Sequence, residues 1–290
     1  MNILKIDTSY PLSKYKNIIK ETLTPKVSLR INPINNMNNY SNYLRNITAN
    51  NVFDINRLGI SNDFEAGRSL TFGLDYKLDP TDDNLLDNNL SQNTKDNPSE
   101  ISKDKYLEIK FATVIRDQNE SDIPISSTLN RKNSDLFGSI ESKLLNNVDL
   151  LYEFSLDNDM KTLNSNTIET EISINNFVTT FNFIEQRNEI GSTHLLSNTT
   201  EYKIDDNRSF RFSTRRNKKI NLTEYYDLSY EYKNDCLTAA IKFNKSFYQD
   251  EDLKPTEDLI FSITLVPLTT YEREIYKKTP GQSGLKGWFR

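Results

Sequence analysis

The sequence contains one cysteine, Cys236, and one histidine, His194, among 290 residues. Structural zinc sites need several Cys or His ligands, so a Cys/His metal centre is excluded. A single histidine also argues against a Ser-His-Asp catalytic triad. Neither a GxGxxG motif nor a Walker-type phosphate-binding loop occurs. The sequence therefore predicts a protein that is not an enzyme and that uses neither a metal nor another cofactor.

Long apolar runs are absent as well. No stretch approaches the roughly 18 apolar residues that a membrane-spanning helix requires, so no transmembrane helix is predicted. The first residues lack the apolar segment of a secretory signal peptide. The net charge is −5 and the isoelectric point is near 5.2. This acidic balance predicts that nucleic acid is not a partner.

The composition is both polar and aromatic. Hydrophobic residues make up 36% of the chain and the mean hydropathy is −0.67, whereas about half of a typical globular chain is apolar. Aromatic residues nevertheless make up 11%, with 15 Tyr and 15 Phe, and disordered chains have few aromatics. The combination predicts an ordered fold whose interior need not be apolar.

Apolar and polar residues alternate along most of the chain, which is the period of a β-strand. Phe210 and Phe212, for example, alternate with Ser209, Arg211 and Ser213. About twelve such runs occur, most near ten residues long, and this length exceeds the globular norm of about five or six. The pattern predicts an all-β fold.

Short polar turns alternate with longer polar connections between these runs. The predicted turns are Asn146-Asn147, Asn175-Asn176, Asp205-Asp206-Asn207 and Asn234-Asp235, whose residues suit hairpin turns. The predicted long connections are 157–166, 186–197, 215–221 and 249–257. Short turns at one end and longer loops at the other are typical of outer-membrane barrels. We therefore predict an antiparallel up-and-down transmembrane β-barrel portion of about twelve strands.

The predicted organisation has three parts. Residues 1–23 form an N-terminal lead-in, residues 24–268 form the barrel portion, and residues 269–290 form a periplasmic tail. The acidic, Asn-rich segment 79–104 is predicted to be a disordered loop. In a barrel, the polar face of each strand lines the lumen. The residues predicted to face the lumen are Arg211, Arg215, Glu231 and Lys242.

Alternation alone does not decide between a barrel and a soluble fold, because one face of a soluble sheet also meets water. A soluble β-sandwich or β-helix therefore remains the alternative on pattern grounds. A general outer-membrane porin or channel, and a soluble secreted β-rich carbohydrate-binding or adhesin module, remain alternative functions.

Three groups of residues, in order along the chain, resemble motifs of the lipopolysaccharide-assembly outer-membrane family LptD, also called OstA or Imp. The first group includes Asn51, Val52, Phe53, Asn56, Arg57, Gly59, Asp63, Glu65, Gly67 and Gly73. The second includes Ile123, Pro124, Arg131, Ser134, Asp135, Tyr152 and Asp157. The third includes Tyr232, Cys236, Phe247, Asp252 and Pro255.

The resemblance implies a function that composition and periodicity do not. Members of this family form a large barrel that inserts lipopolysaccharide into the outer leaflet of the outer membrane. A plug lipoprotein, LptE, fills the lumen, and an N-terminal jellyroll receives lipopolysaccharide from a periplasmic bridge protein. The chain is then expected to be the C-terminal part of such a barrel, in contact with outer-membrane lipid. Its signal peptide and jellyroll are expected in a missing N-terminal part.

The resemblance also assigns two local roles. Cys236 matches one cysteine of an adjacent pair that forms disulfides in the family, and Asp235 occupies the other position, so Cys236 is a candidate disulfide half. The strand near 258–268 is expected to be the last one and to form the lateral gate. The gate residues are Leu259, Phe261, Ile263, Leu265 and Pro267. Proline cannot donate to a β-ladder, so Pro267 either shortens the ladder or ends the strand.

Overall fold

The computed structural model describes residues 3–16, 19–33, 45–59, 64–80, 105–188, 191–247, 255–266 and 269–278. Within these residues the regular structure is β-strand, apart from a short 3-10 helix at Ile125–Ser127. None of the described segments forms a helix long and apolar enough to cross a bilayer. Asp63, Asp252, Pro267 and nearly all of the segment 79–104 lie outside the described residues.

Fifteen strands follow one another in the described part of the chain. They are β1 (Leu4–Ser9), β2 (Leu12–Lys16), β3 (Ile19–Asn32), β4 (Gly67–Pro80), β5 (Leu107–Arg116), β6 (Leu136–Leu145), β7 (Val148–Leu156), β8 (Leu163–Ile174), β9 (Phe177–Asn188), β10 (Gly191–Lys203), β11 (Arg208–Asn217), β12 (Leu222–Lys233), β13 (Leu237–Ser246), β14 (Thr256–Leu265) and β15 (Thr269–Lys278). From β3 onward each strand is hydrogen-bonded to the next one in sequence, and β1 and β2 both pair with β3.

The predicted all-β, antiparallel up-and-down architecture is confirmed, and its strand order is that of part of an up-and-down barrel. The described residues form fifteen strands rather than about twelve. The additional strands are β1 and β2, within the predicted lead-in, and β15, within the predicted tail. All residues of β2 are exposed and most of β15 is exposed. These strands are held by backbone hydrogen bonds and bury no apolar face. Their sequences therefore lack a strong alternation of apolar and polar residues.

The four predicted turns are confirmed as connections between consecutive strands. Asn175, in the β8–β9 turn, has a φ of 50°, a conformation that asparagine tolerates better than most residues. The long connection predicted at 186–197 is wrong, because β9 and β10 leave only residues 189–190 between them. Polar residues extend these strands, since backbone groups pair in a ladder whatever the side chains are.

The chain divides into two compact units. The first unit comprises residues 1–167 and 186–191, and the second comprises residues 168–185 and 192–290. In the first unit, the β3–β4 and β5–β6 connections supply most of the buried apolar residues. This core consists of Ile47, Ala49, Val52, Leu58, Ala112, Val114, Ile123, Leu129 and Phe137. The core therefore lies between loops and strands.

The two faces of the first unit's strands differ in polarity and in exposure. The face with buried residues is largely polar, with Ser28, Arg30, Asn32, Ser69, Thr71, Arg116 and Ser139 all no more than 5% exposed. The opposite face is apolar and 37–43% exposed at Val27, Leu29, Phe72, Leu74, Phe111 and Ile115. A one-sided sheet in water shows the reverse arrangement.

The second unit carries the same alternation across its ladder. Tyr202, Phe210, Tyr230, Ile241 and Phe261 form one cross-strand row from β10 to β14. The row beside it on the other face contains Glu201, Arg211, Ser229 and Lys242. Residues directly opposite each other in an antiparallel ladder point to the same side, so apolar and charged rows lie on opposite faces.

Candidate functional site

Four charged side chains meet on the covered face of the first unit. Arg30 comes from β3 and Arg116 from β5, while Arg57 and Glu65 come from the β3–β4 connection, and each is no more than 4% exposed. The Nε of Arg57 donates to Oε2 of Glu65 at 2.7 Å, and its Nη2 donates to Oε1. The Nη2 of Arg116 also donates to Oε1 of Glu65. We refer to Arg30, Arg57, Glu65 and Arg116 as the arginine–glutamate cluster.

The cluster fastens the β3–β4 connection to the sheet. The Nη1 of Arg57 donates to the carbonyl of Val52 at 3.3 Å and to Oγ1 of Thr71, on β4, at 3.1 Å. From the strands, Arg30 donates to the carbonyl of Ile55 at 2.5 Å. Three strands therefore hold one loop through charge-assisted hydrogen bonds, which are the stronger kind.

Three guanidinium groups surround one carboxylate in this cluster. Burial alone would raise the pKa of Glu65, but the charge and hydrogen bonds of Arg57, followed by the charges of Arg116 and Arg30, lower it to about 2. The Nε atoms of Arg30 and Arg116 have no hydrogen-bond partner among the described residues. Glu65 is the anion shared by all three arginines, although Glu120 also offsets the charge of Arg116. Removing Glu65 would therefore leave buried positive charge that is largely uncompensated.

We expect the first unit to lose stability in acid as Glu65 becomes protonated. The pKa of Glu65 is lowered in the folded state, to about 2 from an ordinary value of 4.5. Its stabilisation is therefore fully present above pH 4.5 and is lost as the pH falls toward about 2. Denaturant unfolding in detergent at a series of pH values measures this effect. A Glu65→Gln variant is the control. The difference between its denaturation midpoint and that of the wild type should shrink as the pH falls from 4.5 toward about 2. A difference that does not change with pH would contradict the assignment.

Glycines allow the same connection to lie close to the strands. Gly67 has a φ of +86°, and a Cβ there would overlap the carboxylate of Glu120. A Cβ at Gly73 would lie 2.6 Å from the ring of Phe53, which belongs to the connection. Glycine suits residue 67 because it adopts a positive φ without strain and leaves room for the carboxylate of Glu120. These positions therefore fix where the loop meets β4.

The first group of family-motif positions is part of this arrangement. Arg57, Glu65 and Gly67 belong to this group and have the contacts given above. Asn56 also belongs to it, and its side chain accepts a hydrogen bond from the backbone N–H of Gly59 at 3.1 Å. Gly59 has a φ of +69°, so these two residues form a turn in the connection.

The second group includes a buried carboxylate at the start of β6. Asp135 is 1% exposed, and its Oδ2 accepts hydrogen bonds from Ser155 at 2.5 Å and from Asn164 at 2.7 Å. Burial raises the pKa of Asp135, outweighing these hydrogen bonds. Asp157 lies 3.6 Å from Arg131 in an exposed ion pair. These residues join the β5–β6 connection to β7 and β8.

Only some residues of the third family-motif group lie among the described residues. Cys236 is an exposed free thiol in the β12–β13 turn, where its backbone N–H donates to the side chain of Asn234 at 3.0 Å. Pro255 immediately precedes β14. The structure therefore shows Cys236 accessible for a partner, and its proposed disulfide stays a prediction.

The predicted gate residues Leu259, Phe261, Ile263 and Leu265 lie on β14. That strand pairs with β13 on one side and with β15 on the other. The expectation that it is the last strand is therefore wrong, because the sequence TTYEREIYKK continues the ladder after the turn. The gate role itself stays a prediction.

The four residues predicted to face a lumen share one face of the second unit. Arg211 pairs across the ladder with Ser229, and Ser229 pairs with Lys242. Glu231 lies two residues from Ser229, and Arg215 lies four from Arg211, so the strand period places both on the same side. Arg211 is 59% exposed, and contacts Glu201 at 2.7 Å. This face is polar and accessible.

Several residues of these sites were not singled out from the sequence. The sequence alternation places Arg30, between Leu29 and Ile31, and Arg116, after Ile115, on the polar face of their strands but indicates no role for them. It does not indicate Glu224, which pairs with Arg215, at all. The alternation pattern identifies the face but not the partner. Among the described residues, no group of three His, Cys, Asp or Glu side chains could hold a metal ion.

Comparison with known proteins adds no relative to these observations. No protein-family model matches the chain, and a search of curated proteins gives no match. The functional inference therefore depends on the geometry of the faces and on the motif residues described above.

Proposed function

We propose that the chain is part of an outer-membrane β-barrel of the LptD type, which inserts lipopolysaccharide into the outer leaflet. The single observation that carries the proposal is the reversed polarity of the strand faces. The apolar face of the first unit is exposed, whereas the polar face is covered by the chain's own connections. Lipid is the environment in which an exposed apolar strand face is favourable.

Exposed apolar side chains also recur in the second unit. Those at least 37% exposed there include Phe177, Phe181, Tyr202, Phe210, Leu228, Tyr230 and Ile241. Contiguous exposed apolar patches of this extent are uncommon on soluble monomers and mark contact with a membrane or a protein. A soluble carbohydrate-binding module would instead present polar residues on its exposed face and bury the apolar one.

The lipopolysaccharide part of the proposal draws on the polar face and on the family resemblance. Arg211, Arg215 and Lys242 provide cations along one face that also carries Glu201 and Glu231. Guanidinium and ammonium groups bind phosphates well, and a wet polar face suits sugar hydroxyl groups. On this proposal the further partners are an LptE-like plug lipoprotein and a periplasmic bridge protein that contacts a separate N-terminal domain.

Site-specific photo-crosslinking tests the assignment of the faces. A photoreactive residue at Arg211 or Lys242, in cells that make lipopolysaccharide, should capture lipopolysaccharide during transport. The same residue at Phe210 or Phe243, on the opposite face, should capture membrane lipid or nothing. Equal lipopolysaccharide capture at both pairs would contradict the proposal, and ion conduction in planar bilayers without capture would favour a porin.

Membrane embedding is tested separately. A folded barrel should require detergent for extraction and should migrate differently on a gel before and after heating. A chain that remains monodisperse without detergent would exclude the membrane assignment and would favour a secreted β-rich module.

A further inference from the structure

The β11–β12 turn of the second unit is strongly basic. Arg216, at the end of β11, is exposed, as are Lys218 and Lys219 in the turn. The Nη2 of Arg216 donates to the side chain of Asn221 at 2.5 Å, and no described carboxylate lies within ion-pair distance of the three cations. The nearby carboxylates of Glu224 and Glu257 contact other cations. The turn therefore presents uncompensated positive charge.

Aromatic rings lie next to this turn, at the end of the apolar strand face. The ring of Tyr226 is 6.1 Å from that of Phe212 and 5.6 Å from that of Phe247. The Nζ of Lys218 lies 5.6 Å from the ring centroid of Phe183. Because Tyr226 is two residues from Leu228 on the same strand, the rings border the exposed apolar face. An apolar face, a ring cluster and a basic turn thus follow one another along the strands.

The turns at the opposite ends of the same strands are balanced in charge. The β10–β11 turn contains Asp205 and Asp206 between Lys203 and Arg208, and the β12–β13 turn contains Asp235 beside Lys233. Arg208 offsets Asp205 through an ion pair. The β13–β14 connection at the same end as the β11–β12 turn includes residues 248–254, which lie outside the described residues and contain Asp250, Glu251, Asp252 and Lys254. The excess positive charge is therefore assigned to the β11–β12 turn alone.

We propose that the β11–β12 turn binds the phosphorylated headgroups of anionic lipids in the leaflet at that end of the strands. The inference rests on the proposed membrane location and adds an orientation and a lipid preference to it. Aromatic side chains favour the level of the headgroups, and lysine side chains extend from there to lipid phosphates. Charge complementarity selects anionic over zwitterionic lipid, and the charge-balanced turns at the other end provide no such selection.

The test uses the full chain in phosphatidylcholine nanodiscs that contain a minor fraction of phosphatidylglycerol. Native mass spectrometry counts the phosphatidylglycerol molecules that remain bound. Each cation near an anionic surface strengthens attachment by about fivefold, so Lys218→Gln/Lys219→Gln, which removes two of them, should weaken phosphatidylglycerol retention by about 25-fold. The matched control is Lys203→Gln/Lys233→Gln, which removes the same charge at the other end of the strands and should leave retention unchanged.

The outcomes separate this inference from the proposed function. If neither the wild type nor the variants enter nanodiscs, the membrane proposal fails and this inference fails with it. If all enter and Lys218→Gln/Lys219→Gln retains as much phosphatidylglycerol as the wild type, only the headgroup site is excluded. Equal loss in both double variants would indicate a nonspecific charge effect, and displacement by millimolar inorganic phosphate would indicate a free-anion site; either result overturns the inference.

Discussion

Replacing Glu65 by glutamine should destabilise the first unit by about 3–5 kcal/mol, the range for breaking a buried ion pair by removing one partner. Glutamine has nearly the same shape as glutamate, so the change removes the charge and leaves the packing. Arg30, Arg57 and Arg116 would then remain buried, at no more than 4% exposure, without an anion in the cluster. The loss should exceed that of any exposed ion pair in the chain.

The matched control is Glu201→Gln in the second unit. Glu201 contacts Arg211 at 2.7 Å, but the arginine side chain is 59% exposed, and exposed pairs contribute at most about 1 kcal/mol. Denaturant unfolding in detergent gives the global effect of each variant. Hydrogen exchange over residues 45–59 reports whether the β3–β4 connection is released. Equal effects of the two variants would show that the cluster does not hold the connection.

The sequence predicts the central strands well because each has one apolar and one polar face. The alternation around Phe210 and Phe212, and the Asn and Asp pairs between runs, correspond to observed strands and turns. The same signal fails for β2 and β15, whose side chains are mostly exposed. Alternation of apolar and polar residues indicates a strand whose two faces meet different surroundings. A strand at the end of a sheet can form through backbone hydrogen bonds alone, so it need not show this alternation.

The candidate site is predictable only in part. Resemblance singled out Arg57 and Glu65, and alternation placed Arg30 and Arg116 on the polar faces of β3 and β5. Their meeting depends on the β3–β4 connection folding back over the strands, with Val52 and Leu58 buried at 1% and 2% exposure. That packing is non-local, and no periodic pattern in a loop indicates which face it covers. Gly67 was the available signal, because its φ of +86° is a conformation that favours glycine.

Replacing Leu228 by arginine should cost about 2–4 kcal/mol if the apolar face of the second unit contacts lipid, as for arginine near the middle of a bilayer. Leu228 lies between Phe212 and Phe243 in the ladder and is 37% exposed. If that face met water instead, the same change at a partly exposed position would cost less than about 0.5 kcal/mol. The size of the effect therefore distinguishes lipid from water at this face.

Two controls make the Leu228→Arg result interpretable. Leu228→Ala measures the loss of side-chain packing without adding charge. Ser213→Arg adds the same charge on the opposite face, where Ser213 pairs with Asp227 across the ladder, and should change stability by less than about 1 kcal/mol. Unfolding in lipid vesicles measures all three variants. Because lumen and lipid faces alternate along a barrel strand, a large loss confined to Leu228→Arg would support the membrane assignment, whereas similar losses for both arginine variants would contradict it.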